Sequence, residues 1–290
     1  MRSVMVATDL DRTMIYTRAA GGPSNSSTVC VEHHEGQPLS YMTEAAARQL
    51  SALAATAAVV PVTTRTIEQF QRVTLPGGPW PYAVTSNGGT ILRNGLPDRR
   101  WRSALDARVR AECATLIEVR AELRARVDES FALKLREADD LFCYLVVDVD
   151  RLPANFLADF DAWARPRGWS ASQQGRKIYA MPTPVCKSTA VHEVRRRLLD
   201  AGELHPDSVL AAAGDGALDA ELLRTADLAI RPRHGELEER NWTHPGVAVS
   251  ATAGIHAAEE ILDYFLRVSA NPPAAGSPVP TGHAAGTGRN

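Results

Sequence analysis

Short apolar runs that stop at polar residues alternate with stretches of helical period along most of the chain. The first run, Ser3-Val4-Met5-Val6-Ala7-Thr8, meets two acids, Asp9 and Asp11, almost at once. A run this short with polar flanks predicts a buried strand that ends at a polar site. Residues 58–62, 82–85, 208–213 and 227–230 repeat the pattern, and 247–249 is a last short run. Between them, residues 44–57, 67–73, 188–200 and 254–268 carry helical spacing. Thr43 and Thr66 stand where N-caps belong. Residues 28–39 read as a hairpin turned near Glu35-Gly36.

The middle of the chain has a different rhythm. Residues 103–127 predict one long helix, with Leu105, Val109, Leu116 and Leu123 near helical spacing. Residues 131–136 and 141–149 read as two strands joined by Ala138-Asp139-Asp140. A second helix follows at 153–165, then a hairpin of 169–174 and 177–181 turned at Gly175. Helix-strand-strand, twice, makes an antiparallel sheet with two helices on one face, unlike the alternation outside it. The expected fold class is therefore α/β. A doubly wound, mostly parallel sheet comes from residues 1–95 and 182–268, with an inserted α+β domain at 96–181. From residue 269 the chain is Pro, Gly, Ala and polar without period, and disorder is expected there.

Composition narrows the function. The chain has 290 residues, 44% hydrophobic, with net charge −2. That is enough for a real core and makes no electrostatic case for nucleic acid or a membrane surface as partner. Cys30, Cys113, Cys143 and Cys186 are far apart with no Cys-x-x-Cys pair. A zinc site is not expected, and a reduced, cytoplasmic setting fits. No secretory leader is expected at the N-terminus, and no apolar stretch approaches the roughly 20 residues of a membrane helix. A monomer and a homodimer are equally compatible.

Four places carry candidate chemistry. Period-two alternation puts Asp9 and Asp11 on one side of the extended chain. Two close carboxylates share a proton or a cation. A hard metal such as Mg²⁺ fits, as does a nucleophile beside a proton carrier. A strand end with an ordinary Asx turn also fits. The strand at 58–62 ends in Thr63-Thr64-Arg65. Lys187 opens a helix, where its charge opposes the dipole, an oddity that nearby anions would explain. Gly214-Asp215-Gly216 with Asp219 one turn later can present two acids to one cation, with glycines letting the backbone bend. His33 and His34 sit at a hairpin tip and read as solvated. Arg176 and Lys177 lie on the last hairpin of the inserted unit, as a solvated turn or as contacts to an anionic or sugar group.

Asp9-Leu10-Asp11-Arg12-Thr13, then Thr63, Lys187 and Gly214-Asp215-Gly216-x-x-Asp219, in that order, resemble the motifs of the haloacid dehalogenase (HAD) superfamily of phosphotransferases. The inserted unit resembles the larger cap type of the sucrose-phosphatase, mannosyl-phosphoglycerate-phosphatase and Cof-like branch. The resemblance implies a Mg²⁺-dependent phosphatase for a small phosphorylated metabolite, a sugar phosphate by family default. It implies that Asp9 is the nucleophile and Asp11 the proton carrier. It implies Mg²⁺ at the Asp9 carboxylate, the Asp11 carbonyl and Asp215, with Asp219 supporting. Lys187 and Thr63 would face the phosphoryl group. Thr64, Arg65 and the Asn87-Gly88 turn would face the substrate. Two positions depart from the pattern: Thr64 stands where many relatives have Gly, and Ser188, read as a helix cap, follows the lysine. A phosphosugar mutase, or a non-catalytic binding protein on the same core, are the alternatives.

Overall fold

The computed structural model describes residues 1–23 and 27–273. Strand β1 (Arg2–Thr8) leads into a tight loop. The strands β2 (Tyr16–Thr17), β3 (Thr28–His34) and β4 (Gln37–Thr43) then form an antiparallel flap. The chain continues through α1 (Glu44–Thr56), β5 (Ala58–Pro61) and α2 (Ile67–Gln71) to a small antiparallel sheet of β6 (Tyr82–Thr85), β7 (Thr90–Arg93) and β8 (Leu96–Pro97). The inserted segment holds α3 (Arg99–Glu112), α4 (Leu116–Ala125), β9 (Ala132–Ala138), β10 (Phe142–Val147), α5 (Phe156–Ala164), β11 (Trp169–Gln174) and β12 (Lys177–Pro182). Then come α6 (Lys187–Asp200), β13 (Leu204–Ala213), α7 (Ala220–Thr225), β14 (Leu228–Arg231), α8 (Glu236–Glu239), β15 (Val247–Val249) and α9 (Ala257–Ala270).

The central sheet is parallel, in the order β15-β14-β13-β1-β5. Helices cover both faces, which is why residues 4–7 of β1 and 209–213 of β13 read as unbroken apolar runs. Val4 and Val6 pack with Leu50 and Leu53 of α1 and Ile261 and Phe265 of α9. Met5 and Ala7 point the other way, onto Val191, Val194 and Leu198 of α6. Val209, Ala211 and Ala213 of β13 join the first cluster, and Leu210 and Ala212 the second. Thr43 caps α1 by accepting from the Ala46 amide at 3.0 Å, as its position predicted. Thr43→Ala is expected to lower stability by about 1 kcal/mol in a thermal or denaturant melt.

The inserted segment builds an antiparallel sheet in the order β11-β12-β10-β9. Its β10 shows a clean alternation. Cys143, Leu145 and Val147 are buried against the helices, with Val119 and Leu123 of α4 and Phe160 of α5 in the same core. Phe142, Tyr144 and Val146 face a cavity over the central sheet.

Three expectations need correction. The long helix expected at 103–127 is two helices broken at Cys113-Ala114-Thr115. Cys113 is extended, the Ala114 amide donates to the Arg167 carbonyl (2.8 Å), and Trp169 Nε1 donates to the Ala114 carbonyl (2.9 Å). Thr115 then caps α4. Tertiary partners for the Ala114 backbone outweigh the helical propensity of its neighbours. Ser188 is not the cap of α6: Cys186 holds that place, and Ser188 sits inside the first turn. The last helix runs to Ala270, past the expected start of the tail. The rest of that expectation, residues 274–290, lies outside the described residues.

Candidate active site at the carboxyl end of the central sheet

Parallel α/β sheets gather their sites at the carboxyl ends of their strands. Asp9 follows β1 directly, its amide tied to the Ala213 carbonyl at 2.9 Å. Asp215 stands two residues beyond β13, and Thr63 two beyond β5. Lys187 is the first residue of α6 and is 1% exposed. Its Nζ donates to Asp9 Oδ1 at 2.6 Å and to Asp219 Oδ1 at 2.5 Å. The charge that opposes the helix dipole thus has two buried carboxylates to hold it.

The carboxylates divide by what their oxygens already do. Asp219 has both occupied: Oδ1 by Lys187, and Oδ2 by the amides of Asp215 (3.1 Å) and Gly216 (2.9 Å). Asp219 therefore shapes the loop and steers the lysine. Asp9 Oδ2 and both oxygens of Asp215 are buried without a hydrogen-bond partner. Donor atoms of Asp9, Asp215 and Asp219 lie within 4.8 Å of one another. Orphaned, buried, all-oxygen donors are the set a hard divalent cation requires, so the residues fit one. Gly235 opens room for this: a Cβ there would fall 2.4 Å from Asp215 Oδ2.

The electrostatics agree. Burial pushes Asp9 up to about 7; Lys187 pulls it down in part, while Asp219 and Asp11 add to the rise. Burial, with Asp9 and Asp219 nearby, puts Asp215 well above the usual carboxylate range. Lys187 is pulled down by burial, but Asp219 and Asp9 outweigh this and hold it above its ordinary value. This is excess negative charge in a dry place.

No protein-family model matches the chain, and no curated protein sequence does. Solved structures match it throughout. The sucrose-phosphatase of Synechocystis sp. PCC6803, solved with sucrose and phosphate, superposes with TM-score 0.62 at 14% identity, covering 91% of this chain and 98% of that one. A Thermoplasma acidophilum protein gives 0.58 at 14% identity, over 92% and 99%. A HAD subclass IIB sugar phosphatase gives 0.53 at 10% identity, over 90% and 98%. This chain shares the fold of these three proteins. At such identities the likeness is one of fold, and the chemistry rests on the residues.

In this fold the inserted sheet acts as a roof. A cavity of about 370 Å³ lies between it and the core, lined by Asp11, Thr64 and Arg65 below and by Tyr144, Arg176 and Lys177 above. Thr63 Oγ1 accepts from the Arg65 amide at 3.1 Å, so its hydrogen is left to donate elsewhere. Tyr179, buried on β12, and Thr64 face this cavity from opposite sides of the boundary. Asp11 is gripped by Arg65 through two bonds of 2.7 Å. Burial pushes Asp11 up, but Arg65 outweighs it and holds the carboxyl below its usual value.

Asn87 and Gly88 are placed outside the cavity lining. The Asn87 amide donates to the Val185 carbonyl at 3.0 Å. Gly88 has φ +97, and a Cβ there would fall 2.2 Å from the Cys186 carbonyl oxygen. This turn props the backbone that delivers Lys187. Gly88→Ala is expected to cost at least about 2 kcal/mol in a denaturant melt and to displace the lysine.

The sequence reading passed over Glu32. It is 1% exposed on β3, accepts from Arg65 Nη1 at 2.8 Å, and accepts from Ser40 Oγ at 2.5 Å. An acid directly after the apolar run Val29-Cys30-Val31 was the available signal. His234 was also passed over. Its Nδ1 accepts from the Gly254 amide (3.1 Å), so Nε2 carries the proton and donates to the Arg12 carbonyl (2.7 Å). This fixes the loop between Asp11 and Thr13.

Proposed function

We propose that this protein is a Mg²⁺-dependent phosphomonoester hydrolase that acts on a small phosphorylated metabolite of the sugar-phosphate kind, through an aspartyl-phosphate. Residues 1–95 and 182–268 are its catalytic core, 96–181 its cap, and the cytoplasm its setting. One observation carries the reading. Asp9 is held by one oxygen on Lys187 and keeps the other, Oδ2, buried and unpartnered beside the Asp215 carboxylate.

The Asp9 and Asp215 carboxylates, with the Asp11 carbonyl, would hold Mg²⁺, and Asp219 would support it from behind. When bound, the cation would offset charge on the phosphoryl oxygens and keep Asp9 ionised. Asp9 Oδ2 attacks phosphorus and the ester oxygen leaves, taking a proton from Asp11. Asp11, now a carboxylate, takes a proton from water as that water's oxygen attacks phosphorus. Inorganic phosphate leaves, and Asp9 is restored. Lys187 balances charge on the phosphoryl group, and the free Thr63 hydrogen donates to it. Arg65 holds Asp11 in the base form suited to the second step. Turning Arg65 onto the substrate would let Asp11 carry the proton for the first.

The test is phosphate release from p-nitrophenyl phosphate with Mg²⁺ and with excess chelator. Turnover that chelator abolishes is expected; undiminished turnover would remove the metal from the account. A second readout needs no catalysis. Folded Asp9 and Asp215 bind protons more tightly than in the unfolded chain, so without metal their contribution to stability falls as pH rises from about 4 to about 7. Mg²⁺ is expected to raise the melting temperature more at pH 8 than at pH 5.

A further inference from the structure

The charges around the cavity do not balance. Five cations line it, Arg12, Arg65, Arg72, Arg176 and Lys177, against two carboxylates, Asp11 and Glu32. Both carboxylates are taken. Arg65 holds Asp11 through both oxygens, and Glu32 is shared by Arg65 and Ser40. Arg12 leans on Asp215 at 3.5 Å and Arg72 on Glu32 at 3.5 Å. Among the described residues, the guanidinium of Arg176 and the ammonium of Lys177 have no carboxylate within ion-pair distance. Lys177 Nζ lies 5.4 Å from the centre of the Tyr144 ring.

These two cations are carried by a seated hairpin. The Val147 amide of β10 donates to the Arg176 carbonyl at 2.8 Å, and Tyr179 of β12 lines the cavity together with Thr64 of the core. Gln174 closes over Gly216, its Nε2 lying 3.1 Å from where a Cβ there would be. The β11–β12 turn is therefore fixed above Asp11.

We infer that the leaving group of the substrate carries a second anionic group, a carboxylate or a second phosphate, seated against Arg176 and Lys177. This rests on the phosphatase reading and sharpens it. Arginine and lysine only donate hydrogen bonds. A sugar's hydroxyls ask for acceptors as well as donors, and the carboxylate acceptors in this lining are already engaged. The phosphoryl group itself does not account for the excess. It belongs beneath, with Asp9, which is 2% exposed and lies outside the cavity lining. The cations on the roof face the other end of the substrate.

The experiment compares glucose 6-phosphate, 6-phosphogluconate and glucose 1,6-bisphosphate as substrates of the full chain with Mg²⁺. One added anion distinguishes the second and third probes from the first. A kcat/KM for one or both at least about tenfold above that for glucose 6-phosphate is expected, from charge-assisted bonds. The Arg176→Ala/Lys177→Ala double variant is expected to erase that ratio, and Arg176→Lys to restore part of it. Which of the two probes gains identifies carboxylate or phosphate. Equal use of all three, or a preference that survives the double variant, overturns the inference. Calorimetric binding to Asp9→Asn separates it from the phosphatase reading. Should wild type hydrolyse none of the three while Asp9→Asn binds a doubly anionic probe at least about tenfold tighter than glucose 6-phosphate, the anion site stands and the hydrolase reading falls. No such difference in binding removes the anion site.

Discussion

Asp9→Asn is expected to lower phosphate release by roughly 10³-fold or more while leaving the protein folded. The amide matches the carboxylate in shape but is a poor nucleophile. Stability is expected to hold, because an ionised Asp9 is an uneasy occupant of its site. Burial pushes it up to about 7, and Asp219 and Asp11 add repulsion. Removing that charge relieves the repulsion, and Lys187 keeps Asp219 as its partner at 2.5 Å. Steady-state release and a thermal melt on the same preparation check both halves. A variant that keeps turnover removes Asp9 as nucleophile, and one that is inactive because it is unfolded says nothing of its chemistry.

Lys187→Met is expected to fail in both respects. The ammonium is fully enclosed and answers two carboxylates, so its loss leaves Asp9 and Asp219 buried without a counter-charge. Breaking a buried ion pair from one side costs about 3–5 kcal/mol. The loss should grow with pH, because the stranded Asp9 carboxyl, already pushed up by burial, can take a proton at low pH and is charged at high pH. Mg²⁺ should recover part of the stability, while turnover stays low for want of the charge facing the phosphoryl group. Denaturant melts at pH 5 and pH 8 measure this. A variant as stable as wild type at pH 8 would contradict the buried network.

Much of this was legible in the sequence because it is written in local pattern. A strand buried on both faces must be apolar throughout, so β1 and β13 announced themselves, and so did the acids at their ends. Long-range pairing was not readable. Nothing near Cys113 says that the Ala114 backbone will bind Arg167 and Trp169, so one helix was expected where there are two. Nothing near Glu32 says that Arg65 will reach it from 33 residues away. Asp215 was expected as a ligand with Asp219 supporting it, and the sequence alone did not say how Asp219 would do so. Geometry supplies the reason, since Asp219 has both oxygens hydrogen-bonded and Asp215 has neither. Asn87 and Gly88 looked like a substrate-facing turn; they lie outside the cavity lining, with Gly88 close against Cys186, a long-range approach that no local pattern shows.

The most direct measurement is to quench the protein in acid during turnover of p-nitrophenyl phosphate and map its peptides by mass spectrometry. A phosphoryl adduct on Asp9, absent from Asp9→Asn, is the predicted result. Turnover with the adduct on another residue, or undiminished in Asp9→Asn, would contradict the account.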